Sequence, residues 1–304
     1  MGRDLLPAGV SVPIFRTPDE RFERLPGFDH EPAYREVDGL RLAHVDVGEG
    51  PPVVMVHGSP LWSFVWRKVI PPVVEAGFRC IAPDHAGYGR SDKPLDPGWY
   101  SAERHVAMTG SIIDELDLRD VTIVVHDWGG PIGLSLALIR PERISRVVVL
   151  DTAIDPRETW MNETWVRLRD FIRETEEMPV RELLRTIMLH DPGEDVVRAY
   201  EAPFPTLESS AALWGMMSSV PPADDAAAIQ VSDAFYDALR DDPRPMLSLW
   251  GASDPFLTLA SGQRLMSRIG RRLDHVVEDA GHALQEDQGE LVGRLIADWL
   301  AAGG

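Results

Sequence analysis

The 304-residue chain carries 30 basic and 49 acidic residues, a formal charge of −19, with 44% hydrophobic and 26% charged residues. That composition suits a globular fold with a sizeable core. A polyanion of this size repels nucleic acid and anionic lipid, which excludes both as primary partners. The lone cysteine, Cys80, sits in an apolar run and allows no internal disulfide, which fits a cytoplasmic setting. No basic-then-apolar leader is read at the start of the chain, and no apolar run approaches the roughly 20 residues of a membrane span.

In chain order, Arg41–Val47, Pro52–Val56, Arg79–Ala82, Val121–Val125 and Arg146–Leu150 read as strands alternating with helical patterns. Several are continuous apolar runs, as expected of parallel strands buried on both faces. Between 155 and 225 strand signals vanish; helical segments such as 163–174 and 179–189 are broken by Pro179, Pro192-Gly193 and Pro203-Phe204-Pro205. A further strand follows at Met246–Trp250. The organisation expected is an α/β core from residues 1–154 and 226–304, with a helical cap inserted at 155–225.

The sharpest local signal is Val124-Val125-His126-Asp127-Trp128-Gly129-Gly130-Pro131, which follows a strand and opens a helix. It has the strand–turn–helix form of a nucleophile elbow, with Asp127 where most such enzymes carry serine. A carboxylate with an ordinary pKa of about 3.9 is ionised at neutral pH and needs no base to activate it. It would attack carbon and leave an ester for a second step to hydrolyse; the bland reading is a helix-capping aspartate. His57-Gly58-Ser59-Pro60 can aim the Ser59 amide above the sheet, as an oxyanion donor beside the Trp128 amide. Ala82–Ser91 is a Gly-rich loop assigned a structural role. His282, in Asp279-Ala280-Gly281-His282-Ala283, follows the nucleophile and an acid, the chain order of hydrolases of this type. The acid that orients it is Asp254, after the next-to-last strand, or Asp151, at the end of an earlier one. No spacing suggests a metal or nucleotide site.

These residues resemble the haloalkane dehalogenase family of the α/β-hydrolase superfamily over nearly the whole chain. The likeness begins at Arg16–Phe22 and runs through His57–Arg67, Ala82–Asp84, Ser91–Pro94 and Asp127-Trp128-Gly129 to Gly281-His282 and Gln285-Glu286-Asp287. In the cap, Tyr200–Pro205 resembles the subgroup whose acid follows the next-to-last core strand, which supports Asp254. In that subgroup two tryptophan indole N–H groups cradle the leaving halide: Trp128 matches one, and for the other Trp165 is the best match and Trp160 the runner-up. Ser59, Leu61 and His126 depart from the usual residues.

The resemblance implies hydrolysis of small haloalkanes through an aspartyl ester, with no cofactor and with only substrate and water as partners. Epoxide hydrolases share the Asp/His machinery but use two cap tyrosines, and the expected cap holds only Tyr200. A non-catalytic sensor on this fold is the reading from another class. Oligomeric state is not legible.

Overall fold

The computed structural model describes residues 12–157, 163–174 and 179–304. Eight strands form one sheet: β1 (Ala33–Val37), β2 (Leu40–Val47), β3 (Pro52–Val56), β4 (Arg79–Pro83), β5 (Val121–His126), β6 (Ile144–Leu150), β7 (Met246–Gly251) and β8 (His275–Val277). Their order across the sheet is β8-β7-β6-β5-β3-β4-β2-β1. Pairing is parallel from β8 to β4 and antiparallel where β2 joins β4 and β1 joins β2. This is the α/β-hydrolase sheet, and the six strands legible in the sequence all lie in it.

The doubly buried strands follow from alternation of side chains across a pleated sheet. In β3, Val53 and Met55 enter one core cluster while Val54 and Val56 enter another. Val124 in β5 and Val148 in β6 join the first, and their neighbours Ile123, Val125, Val147 and Val149 the second. Helices α1 (Ile70–Glu75) and α11 (Gly289–Ala301) add Ile70, Val73, Val292 and Ile296 to the first cluster. The second receives Ile113 of α2 (Ala102–Glu115), Ile132 of α3 (Gly129–Ile139), Tyr236 of α8 (Ala226–Asp241) and Leu265 of α9 (Leu259–Arg268). A β-branched run with no polar face is therefore what this sheet requires.

Between β6 and β7 the chain forms α4 (Glu163–Glu174), α5 (Val180–Ile187), α6 (Glu194–Glu201) and α7 (Ala211–Ser218). α8 follows, and Asp225 caps it by accepting hydrogen bonds from the amides of Ala227 and Ala228. A buried polar cluster ties these helices to the segment around Glu286. Glu286, in α10 (Leu284–Asp287), accepts a bidentate pair from Arg67 at 2.6 Å and a bond from Lys68 at 2.7 Å. The Tyr200 hydroxyl of α6 donates to the same carboxylate at 2.8 Å. Asp287 beside it accepts from the amides of Leu189 and His190 as well as from Gly281, and the Ala283 amide donates to the Ile187 carbonyl at 2.8 Å.

Candidate active site

The turn between β5 and α3 holds Asp127 at φ 51°, in the left-handed region. Such a conformation costs on the order of 1–3 kcal/mol and persists only where its surroundings hold it. Here the Asp127 amide donates to the Asp151 carbonyl at 3.0 Å, and its own carbonyl accepts from the Thr152 hydroxyl at 2.7 Å and the Gly130 amide at 2.8 Å. The two glycines that follow are sterically required. A Cβ on Gly129 would run into the Val56 carbonyl, and one on Gly130 into the Thr152 hydroxyl.

This turn presents the Asp127 carboxylate to three groups. The Ser59 amide donates to Oδ2 at 2.9 Å, and the Trp128 amide favours the ionised carboxylate. Oδ1 faces His282 Nε2 at 3.5 Å, beyond ordinary hydrogen-bond length. Burial opposes ionisation of Asp127, yet contact with His282 and its charge, aided by His126 and the Trp128 amide, holds the carboxyl below its ordinary range.

His282 Nδ1 lies 2.7 Å from Asp254 Oδ2. The other Asp254 oxygen accepts from the Phe256 and Leu257 amides at 2.7 and 2.8 Å, so the carboxylate is fixed from both sides. Burial disfavours the His282 imidazolium, but the carboxylates of Asp254 and Asp127 outweigh it and raise its pKa well above the ordinary value. Asp151 is oriented differently. Its oxygens face the Gly251 amide at 3.1 and 3.2 Å, and burial, with the negative charge of Asp254 adding, raises its pKa well above the ordinary carboxylate range.

Two residues at the site carried no functional reading in the sequence. His126 is fully buried, and its Nε2 donates to the His282 carbonyl at 2.8 Å. Burial, reinforced by the charge of His282, lowers its pKa to about 4, so it stays neutral and anchors the backbone of His282. Tyr88, from the Gly-rich loop, donates its hydroxyl to Ser59 Oγ at 3.2 Å. A histidine immediately before Asp127 and an aromatic between two glycines were the signals available.

Asp127, His282 and Ser59 open into a cavity of about 130 Å³ whose walls are otherwise apolar. Trp128 and Trp165, the latter from α4, both line it, with Phe256, Leu213, Met217 and Val220 among the rest. The Arg169 guanidinium lies 5.7 Å from the Trp165 ring centroid. Trp160 lies outside the described residues. Tyr200 does not line the cavity; its hydroxyl is committed to Glu286.

The chain matches the family model described as alpha/beta hydrolase fold over residues 51–187. It is 34% identical to the haloalkane dehalogenase of Psychrobacter cryohalolentis, an alignment covering 94% of this chain and 98% of that one. Haloalkane dehalogenase 1 of Mycobacterium bovis is 35% identical, over 95% of this chain and 99% of the relative. Among solved structures, the tetrameric haloalkane dehalogenase DpaA of Paraglaciecola agarilytica NO2 superposes with a TM-score of 0.85 at 28% identity, covering 93% of this chain and 97% of that one. Near-full-length identity on one shared fold leads to a single assignment: this chain belongs to the haloalkane dehalogenase family.

Proposed function

We propose that the chain cleaves a carbon–halogen bond of a small haloalkane in two steps, giving alcohol, halide and a proton. The observation that carries this reading is a carboxylate at the elbow, ionised and set in an apolar cavity, with one oxygen held by the Ser59 amide and the other 3.5 Å from His282. The less constrained oxygen attacks an sp³ carbon in line with the departing halide, forming the Asp127 ester. The indole N–H groups of Trp128 and Trp165 stabilise the anion that leaves. His282 then takes a proton from water, which attacks the ester carbonyl carbon, and Asp254 stabilises the imidazolium. The oxyanion that develops is met by the Ser59 and Trp128 amides, each such donor contributing on the order of 3 kcal/mol. The helices within residues 155–225 act as the cap over this cavity, no cofactor takes part, and the buried thiol of Cys80 suits a cytoplasmic setting.

Epoxide opening by the same pair would need phenolic donors facing the cavity, and the cap tyrosine Tyr200 is turned to Glu286 instead. The decisive assay sets a panel of short bromoalkanes beside styrene oxide. Halide release with one proton per turnover is expected; diol formation without halide release would overturn the reading.

The two acid candidates separate by mutation. Asp254→Asn is expected to spare alkylation and slow ester hydrolysis by about 10²–10⁴, since the analogous change in a serine triad costs about 10⁴. Asp151 faces the Gly251 amide and not His282, so Asp151→Asn is expected to stay within roughly tenfold of the parent rate. Single-turnover kinetics check both, and the reversed pattern would assign the role to Asp151.

Trp165→Phe is expected to weaken saturable quenching of tryptophan fluorescence by bromide or iodide. Loss of one hydrogen bond to a desolvated anion should cost roughly 1.5–3 kcal/mol. Unchanged halide affinity would remove Trp165 from the cradle.

A further inference from the structure

His282 lies in the loop between β8 and α10, so neither a strand ladder nor a helix fixes it. Asp254 directs its imidazole, but its main chain is held from another direction. The His282 carbonyl accepts from His126 Nε2 at 2.8 Å, across 156 residues of sequence. A carbonyl only accepts, so that nitrogen of His126 carries the proton. Nδ1 has no hydrogen-bond partner among the described residues. Burial lowers the pKa of His126 to about 4, which keeps the ring neutral in this tautomer. The two imidazoles lie 4.9 Å apart between centroids, their planes tilted by 42°.

Where the donor stands matters as much as the bond. His126 ends β5, which is paired with β3 on one side and β6 on the other, His126 in register with Leu150. The next residue is Asp127 itself. One dipeptide at the end of a doubly paired strand therefore carries the nucleophilic carboxylate and grips the loop that carries the base. This ring of contacts fixes the 3.5 Å gap between His282 Nε2 and Asp127 Oδ1. Closing the gap would give a direct ion pair. Widening it would put Nε2 out of reach of a water attacking the ester, and a misplacement of about 1 Å can cost on the order of 10²-fold.

We propose that His126 is a positioning residue for the second step, its Nε2–H bond to the His282 carbonyl setting the reach of that imidazole toward the water that cleaves the Asp127 ester. The inference rests on the two-step scheme above. It gives His126 no proton transfer and no contact with substrate, in keeping with its place behind the residues that line the cavity. Alkylation asks nothing of the His282 imidazole as a base, so the two steps should respond differently when the anchor is removed.

Rapid-quench single turnovers of the full chain separate them, with protein in excess over whichever short bromoalkane the parent hydrolyses fastest. Halide reports alkylation, and the protein mass reports decay of the ester. His126→Leu is expected to alkylate within about threefold of the parent and to hydrolyse the ester roughly 10- to 100-fold more slowly. His126→Gln keeps an N–H donor at similar reach and is expected to restore hydrolysis to within about threefold. Should the leucine variant not fold, His126→Asn, whose amide stops short of the carbonyl, takes its place with the same expectation. Ester decay at the parent rate in the leucine or asparagine variant would overturn the proposal. So would equal slowing of both steps, the mark of a general loss of structure. A glutamine variant as slow as the leucine one would do the same, because the donor would then not be what matters. A parent protein that never forms the ester would instead overturn the two-step scheme, and this inference with it.

Discussion

Asp127→Asn is expected to abolish halide release, with a rate loss on the order of 10⁴ or more. An amide is a poor nucleophile at carbon, and losing the nucleophile of a comparable hydrolase costs about 10⁶. The fold should survive the change. Asparagine tolerates the left-handed conformation that residue 127 adopts, and its side-chain oxygen can still accept from the Ser59 amide. Bromide quenching of tryptophan fluorescence should therefore persist in a variant that turns nothing over. The measurement is halide release with the protein mass followed in parallel, because deamidation regenerates aspartate. Retention of more than about a hundredth of parent activity at unchanged mass would mean that the elbow residue is not the nucleophile.

His282→Gln is expected to stop the reaction after the first step. One halide should be released per protein molecule, and mass spectrometry should find an alkyl adduct on the peptide containing Asp127. The charges around His282 add a second readout. In the resting protein its pKa stands well above the ordinary value, because the Asp254 and Asp127 carboxylates outweigh burial. Ester formation neutralises Asp127 and removes one of those two charges, so the pKa of His282 falls and its proton is more readily lost. At neutral pH, halide and proton should therefore appear together in the first turnover of the parent protein, ahead of alcohol. In His282→Gln halide should appear with no proton. A stopped-flow indicator trace showing equal proton release in the variant would contradict this charge switch, and stoichiometric halide with an unmodified Asp127 would contradict the two-step scheme.

What the sequence disclosed and what it hid have physical causes. Strands such as Val121–His126 and Ile144–Leu150 were legible because burial on both faces demands an unbroken apolar run. The edge strands Ala33–Val37 and His275–Val277 were not read as strands. The first is largely half-exposed and the second only three residues long, so neither carries that run. Asp127 and His282 stood out by chain order and local context. The choice between Asp254 and Asp151 could not be made that way, since each sits just past a strand in the neighbouring pair β6 and β7. It turns on where each carboxyl points, toward His282 in one case and toward the Gly251 amide in the other. His126 was passed over for a similar reason: its partner is a backbone carbonyl 156 residues away.

The stitching between the base segment and the helical insert bears on how substrate gets in. The residues on either side of His282 are tied to the end of α5 and the segment after it, through Ala283 to Ile187 and through Asp287 to Leu189 and His190. Glu286 is joined in the same way to Tyr200 of α6. Swinging α5 and α6 away as a rigid lid would pull His282 off Asp254, so under the proposed mechanism each opening would disarm the site. Traffic is better served by a narrow portal among side chains that leaves these ties intact. In such an arrangement passage is set by rotamer changes at the mouth, and the clock for product escape is decoupled from the rigidity that keeps His282 aimed.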